Sequence, residues 1–299
     1  VDGFIYINTG LGLRAYSLFE KKQRWPEYKG FLSKSVLAEG EGGEGSIENL
    51  ILSTTVEGDQ IYLNVEKKQE REAEIYSTGS QNFNIQPIFP VRTLVCLDTN
   101  TGKQKWVVQT ENTLFQEANF SSAPIVYKNF LFCEANFYEG LVRSYLMCID
   151  KYTGKIVYSL LISSGQTGLN MFGRPIRESV GTFLSEKEGV LYFSNNLGVL
   201  AAVEAYSGTL LWLLRYPQAP LSSPVNYEDS ERVQQWYNNP IIIQDDLLLL
   251  APPDSPQIMA VNRFSGKIIW RRDRFNSEEK KLNSWNLRYL LGVAEGKVF

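Results

Sequence analysis

Histidine is absent from all 299 residues. That excludes Ser-His-Asp and Cys-His catalysis, haem ligation through His and most zinc sites within this chain. Cysteine is scarce: Cys96, Cys133 and Cys148 make an odd set with no Cys-x-x-Cys pair. Cys133 and Cys148 could face each other across a hairpin turning near Glu139-Gly140, but all three are expected as small buried hydrophobes. No run reaches the ~18–20 apolar residues of a membrane span. There is no P-loop and no Gly-x-Gly-x-x-Gly. Charge is nearly balanced, with 33 acidic and 30 basic side chains, so the chain has no general basic footprint for nucleic acid. What it has in quantity is apolar and aromatic surface, 43% and 13% of residues, enough to cover the faces of several sheets.

That surface is organised by a recurring phrase. Leu97-Asp98-Thr99-Asn100-Thr101-Gly102-Lys103-Gln104-Lys105-Trp106 returns as Ile149 to Tyr158, as Val203 to Trp212 and as Val261 to Trp270. Its glycines, Gly102, Gly154, Gly208 and Gly266, lie 52, 54 and 58 residues apart. One turn signal per unit at such a period means a repeat fold, a β-propeller of four-stranded antiparallel blades. The glycine marks a tight turn needing positive φ, where a Cβ would clash. The hydroxyl residue before it and the Asp, Glu or Asn four residues before it (Asp98, Asp150, Glu204, Asn262) can bond turn backbone. The aromatic (Trp106, Tyr158, Trp212, Trp270) opens the outer strand, with area enough to lie across a neighbouring blade and an N–H seeking an acceptor in the tryptophans. Small residues at Cys96, Cys148, Ala202 and Ala260 allow close approach of sheets. A degenerate copy from Ala15 to Trp25 carries Lys21 in place of glycine, so its turn is expected to differ.

These features resemble the quinoprotein-type propellers, with their PQQ-like repeats patterned Ala-x-Asp-x-x-Thr-Gly-x-x-x-Trp, over nearly the whole chain. The resemblance implies an all-β propeller and a bacterial, extracytoplasmic or periplasmic protein. The family holds dehydrogenases that bind pyrroloquinoline quinone with calcium, and also cofactor-free scaffolds that assemble with other proteins.

The organisation is that of one propeller domain or propeller segment over 1–299. Inner hairpin turns are expected at Glu57-Gly58-Asp59, Lys128-Asn129, Glu188-Gly189 and Asp245-Asp246, each ahead of a strand. The same signal stands at Asp2-Gly3 and Glu295-Gly296, giving about five periods. Either a strand around Leu287 to Val293 closes a five-bladed ring on the first hairpin, or the chain is an arc of a larger ring of seven or eight blades, the reading favoured here. An arc would leave unpaired edges, so the rest of its own propeller would be a required partner. Inserted loops are expected at about 29–48, 66–90 and 274–284: a Gly- and Glu-rich stretch from Ala38 to Ser46, mixed charge with a helical turn within Glu66 to Glu74, and charge at Ser277 to Lys281.

Candidate functional residues fall where inner strands begin: Arg174 and Arg177, Trp236-Tyr237-Asn238 with Asn239, and Trp285-Asn286. Trp236 and Tyr237 stand outside the repeat phrase, as partner-binding anchors or, for Trp236, as a plug of the central channel. A quinone site needs stacked aromatics, cations and a calcium held by carboxylate and amide oxygens, and alcohol-oxidising members add adjacent cysteines over the ring. No Cys-Cys pair exists here, so no catalytic, cofactor-binding or metal residue is assigned and no cofactor is expected. The inventory favours a non-catalytic scaffold for other proteins; the alternative is a pyrroloquinoline-quinone dehydrogenase or a fragment of one. Titration calorimetry with pyrroloquinoline quinone and calcium is therefore expected to give no heat of specific binding, and micromolar calcium-dependent binding would reinstate the enzyme.

Overall fold

A computed structural model describes residues 3–8, 13–25, 54–66, 74–78, 81–86, 91–139, 141–166, 183–220, 239–273 and 289–299. All regular structure among them is β. Strands β1 (Phe4–Asn8) and β2 (Leu13–Ser17) pair as one hairpin. Next come β3 (Thr54–Glu57), β4 (Gln60–Glu66), the hairpin β5 (Glu74–Thr78) with β6 (Gln81–Gln86), β7 (Arg92–Asp98) and β8 (Gln104–Val107), ordered β3-β4-β7-β8 with β5-β6 apart. The third set holds β9 (Asn119–Phe120), β10 (Ile125–Tyr127), β11 (Phe130–Glu139), β12 (Leu141–Asp150) and β13 (Ile156–Gly165), ordered β10-β11-β12-β13 with β9 on β11. Two further four-stranded sheets follow in chain order. They are β14 (Leu184–Lys187), β15 (Val190–Ser194), β16 (Val199–Glu204) and β17 (Leu210–Arg215), then β18 (Ile242–Gln244), β19 (Leu247–Leu250), β20 (Gln257–Asn262) and β21 (Ile268–Asp273). The last hairpin is β22 (Val293–Ala294) with β23 (Lys297–Val298). Each four-stranded up-and-down sheet is one propeller blade.

The inner hairpins turn where the sequence places them. Glu57↔Gln60, Tyr127↔Phe130, Lys187↔Val190, Gln244↔Leu247 and Ala294↔Lys297 each flank a two-residue loop. The first loop residue is left-handed in all five: Gly58, Lys128, Glu188, Asp245 and Glu295, as tight hairpins of right-twisted strands require. The outer turn is built by the repeat phrase. Asp98 Oδ1 accepts from the N–H of Asn100 (3.0 Å), the N–H of Thr101 (2.8 Å) and the Thr101 hydroxyl (2.9 Å). Asp150 and Asn262 repeat this set on Thr153 and Ser265. Burial works to raise the Asp98 carboxyl, but the bonds from Thr101 and Asn100 outweigh it and hold the group below the usual carboxylate range.

Against expectation, the Lys21 turn does not differ. Lys21 takes φ 55°, and its N–H reaches Ser17 O at 3.0 Å, as Gly102 N–H reaches Asp98 O at 2.8 Å. A side chain there costs roughly 1–2 kcal/mol, which this turn tolerates. The excursion over 66–90 contains the β5-β6 hairpin, and the helical turn expected within Glu66 to Glu74 falls on residues 67–73, outside the described residues, as do 29–48 and 274–284.

The chain forms two compact units, residues 1–73, 88–137 and 145–160, and residues 74–87, 138–144 and 161–299. In the first, Trp25 packs with Leu13, Ile61, Leu63, Val95 and Leu97. Trp106 packs with Tyr62, Leu94, Cys133, Met147 and Ile149. In the second, Trp212 lies against Tyr192, Leu248 and Val261. The glycine of a following repeat meets each ring. A Cβ on Gly102 would stand 2.8 Å from Trp25, one on Gly154 2.6 Å from Trp106, and one on Gly266 2.6 Å from Trp212. Each indole N–H donates to a carbonyl of the same turn: Trp25 to Asn100 (3.0 Å), Trp106 to Lys151 (3.0 Å) and Trp212 to Arg263 (2.9 Å). The small residues Cys96, Ala202 and Ala260 sit opposite the tryptophans of their own blades and are fully buried.

Burial of the rings is not uniform. Trp25 and Trp106 are buried, Tyr158 and Trp212 are half-buried, and Trp270 is 38% exposed. Trp270 is therefore the least covered of the five, and no glycine turn among the described residues packs on it.

Gly154→Ala is expected to cost about 2–4 kcal/mol, combining a left-handed alanine with displacement of the Trp106 ring. Gly58→Ala, with equal φ strain but open space around it, should cost about 1 kcal/mol. Urea denaturation of the two variants measures the difference, and equal midpoints would remove the ring from the account.

Candidate functional site

The far end of each blade, opposite the glycine turns, collects buried polar side chains. In the first unit these come from the end of β4 (Asn64), the start of β7 (Arg92, Thr93), β9 (Asn119) with Ser121 and Ser122, and β11 (Glu134, Asn136), all buried. Arg92 N–H donates to Asn119 Oδ1 at 3.0 Å, and the Arg92 guanidinium faces Glu66 at 3.6 Å. Asn64 Nδ2 donates to Ser122 O at 2.6 Å. The Ser121 hydroxyl donates to Glu134 Oε2 at 3.1 Å and accepts from Asn136 Nδ2 at 2.8 Å. Glu134 N–H donates to the Ser122 hydroxyl at 2.6 Å. Glu134 is only 1% exposed, so its carboxylate is out of reach of a substrate. The cluster ties the β9 segment into the blade.

In the second unit the same end is held by Asp254, which follows β19 and is buried. Its carboxylate accepts from the Tyr216 hydroxyl (2.9 Å), Gly198 N–H (2.9 Å) and Gln218 Nε2 (2.8 Å). Tyr216 follows β17, and Gly198 lies before β16, so one carboxylate joins two consecutive blades. Burial, then the Asp254 charge, push the Tyr216 hydroxyl well above its usual range, so it remains a donor. A small cavity opens beside this network, lined by Phe183, Ser194, Asn239, Leu250 and Pro252 among others. Asn239 Oδ1 accepts Leu290 N–H at 2.8 Å there, and among the described residues no titratable group lines it.

The cysteines supply no nucleophile. All three are free and buried. Burial pushes the Cys96 and Cys148 thiols up to about 12, against a downward pull from Lys105 on the first and from the Tyr158 hydroxyl on the second. Burial raises Cys133 as well. Among the described residues no group of three or more Cys, Asp or Glu is placed to hold a metal.

Of the sequence candidates, Arg174, Arg177, Trp236, Tyr237, Asn238 and Trp285 lie outside the described residues. The structure does fix where the flanking chain stands: β17 ends and β18 begins at the Asp254 end of their blades. Sequence reasoning missed Asp254 and Tyr216. Pro252-Pro253-Asp254-Ser255-Pro256 signals a rigid turn between strands, which could have drawn attention to its one carboxylate.

The family model described as outer membrane protein assembly factor BamB matches residues 89–282, more than half of the chain. A comparison with curated proteins returns no match. Among solved structures, the chain is similar to BamB from Moraxella catarrhalis, at TM-score 0.50 and 15% identity, covering 92% of this chain and 62% of that one. It is also similar to quinohemoprotein alcohol dehydrogenase from Comamonas testosteroni, at TM-score 0.56 and 13% identity, covering 96% and 44%. A europium-containing methanol dehydrogenase gives TM-score 0.54 and 14% identity, covering 95% and 51%. The chain thus spans less than two thirds of the length of each. At these identities the likeness shows the fold, a propeller of PQQ-like repeats.

Asp254→Ala would leave three donors without their acceptor, those of Tyr216 and Gly198 in buried positions. The expected cost is about 3 kcal/mol or more, read as a lowered denaturation midpoint; a variant as stable as the parent would mean that the network holds nothing together.

Proposed function

Because this chain belongs to the family described as outer membrane protein assembly factor BamB, we propose that it is a non-catalytic propeller scaffold for other proteins, acting outside the cytoplasm. The observation that carries this reading is how the repeat uses its functional-looking groups. Trp25, Trp106 and Trp212 are locked onto glycine turns of following repeats. The acidic and hydroxyl residues of those turns bond their own backbone. The phrase therefore builds a rigid frame, and what varies from blade to blade is the set of connections at the far end. Trp236, Tyr237 and Asn238, with Arg174, Arg177 and Trp285, belong to such connections and are the proposed partner-binding residues. Aromatic anchors on a rigid frame are a common basis of protein recognition.

The second reading is a pyrroloquinoline-quinone dehydrogenase or a piece of one. It is supported by the fold likeness to two dehydrogenases. Against it stand the missing cysteine pair and the inaccessible carboxylate of Glu134.

Affinity capture from an outer-membrane extract tests the scaffold reading. Trp236→Ala and Tyr237→Ala are expected to weaken capture by at least about 2 kcal/mol of binding free energy, some thirtyfold, with an unchanged melting temperature. Unchanged capture with lowered melting would assign both rings to structure instead.

A further inference from the structure

One position of the repeat phrase, two residues before the glycine, serves its turn through the backbone alone. Asn100, Tyr152 and Phe264 each give their N–H to the Asp or Asn that opens the turn. These bonds ask nothing of the side chain. Yet the position carries Phe19, Tyr152, Tyr206 and Phe264, which are 84%, 58%, 72% and 62% exposed. In the remaining copy Asn100 accepts from Arg24 Nη2 at 3.1 Å, so its side chain is in use.

In the first unit three such turns stand side by side at one end of the blades. Trp25 Nε1 reaches the Asn100 turn from the first blade, and Trp106 Nε1 reaches the Lys151 turn from the next. What these turns present outward is apolar and cationic. Leu18 is 55% exposed beside Phe19. Both rings are supported from behind. A Cβ on Gly3 would enter the Phe19 ring, and Lys151 Nζ stands 5.3 Å from the centre of the Tyr152 ring. The acids at this end are already engaged. Asp98 and Asp150 fold back onto their own turns, Asp59 pairs with Lys105, and Glu57 pairs with Lys151. Lys21, Lys22, Lys103 and Lys155 are exposed and, among the described residues, meet no carboxylate. Only Glu20 stands exposed and unpaired against them in the described turns. The second unit has the rings without this charge, since its inner hairpins bring Glu188, Asp245 and Asp246 to the end that carries Tyr206 and Phe264.

We propose that this end of the first unit, Leu18, Phe19 and Tyr152 among four lysines, is a contact surface for an anionic lipid bilayer. Apolar tips enter the interfacial layer while the ammonium groups answer headgroup phosphates. A bilayer fits the arrangement better than an acidic protein does. The apolar groups are separate protruding tips with the polar Asn100 turn between them. A protein partner would need a matching pocket for each tip, whereas a fluid interface accepts them singly. The inference is independent of whether the protein is a scaffold or an enzyme.

Flotation of the chain with vesicles tests this. Vesicles of phosphatidylcholine with phosphatidylglycerol are expected to carry the chain, vesicles of phosphatidylcholine alone are not, and added salt should release it. Lys21→Gln, Lys22→Gln and Lys155→Gln should each weaken binding about fivefold. Leu18→Ser with Phe19→Ser should weaken it at least about tenfold. All these side chains are exposed, so melting temperatures should stay as in the parent. Phe19→Trp should add an emission that shifts to the blue on the phosphatidylglycerol vesicles, which a purely structural role of the ring would not produce. Equal flotation with both kinds of vesicle overturns the proposal, as does flotation that survives the serine pair and the three glutamines combined. Adsorption without the blue shift overturns it too, by placing the contact elsewhere on the chain. Retention on polyglutamate without flotation would assign the surface to an acidic protein instead.

Discussion

An indole laid on a glycine, with its N–H bonded to a carbonyl two or three residues earlier in the same turn, is the contact on which the architecture rests. It occurs from Trp25 to Gly102, from Trp106 to Gly154 and from Trp212 to Gly266. Each instance joins elements about a blade apart in sequence, so within each unit it ties one blade to the next. Truncating such a ring would cost roughly 3–5 kcal/mol, a large share of the marginal stability of a domain. The ion pairs that accompany it, Lys151–Glu57 and Arg263–Glu188, keep their acids exposed and add direction more than strength.

The lock explains the composition of the phrase. The acid at its start and the hydroxyl before its glycine bond the turn backbone, which holds the receiving carbonyl still. The small residue across from the tryptophan, Cys96 or Ala202, leaves depth for the ring within its own blade. Burial keeps Cys96 and Cys148 protonated, so a thiol serves there as a small apolar group. Residues that look chemical in the sequence are thus occupied mechanically, and function must be sought where the phrase stops.

Much of the fold was legible because this lock has a one-dimensional signature: glycine, three residues, aromatic. The inner turns at Lys128-Asn129 and Asp245-Asp246 were legible too, from polar pairs between β-rich runs. The β5-β6 hairpin was not, since the charges from Glu66 to Glu74 mask the alternation that begins at Ile75. The site was less legible than the fold. Asp254 and Tyr216 are 38 residues apart in sequence and belong to no repeated phrase; only folding brings them together. The exposure of Trp270 was not legible for a related reason: a ring is covered by elements other than its own strand, so its sequence position does not reveal how far it is buried.

The comparison of Lys21 with the glycines decides what the glycine is for. Two causes could require it, a left-handed backbone or a ring overhead. The turn at Lys21 keeps the backbone, with φ 55° against 71° at Gly102, and keeps both backbone bonds. A left-handed lysine is therefore affordable here, as it is at Lys128 and Glu188. The repeats that carry glycine at Gly102, Gly154 and Gly266 are those on which a tryptophan lands within 3 Å of where a Cβ would sit. The ring, more than the turn, selects the glycine. Gly102, Gly154 and Gly266 each record the ring that lies on them, and the Lys21 turn shows the same backbone formed without a glycine.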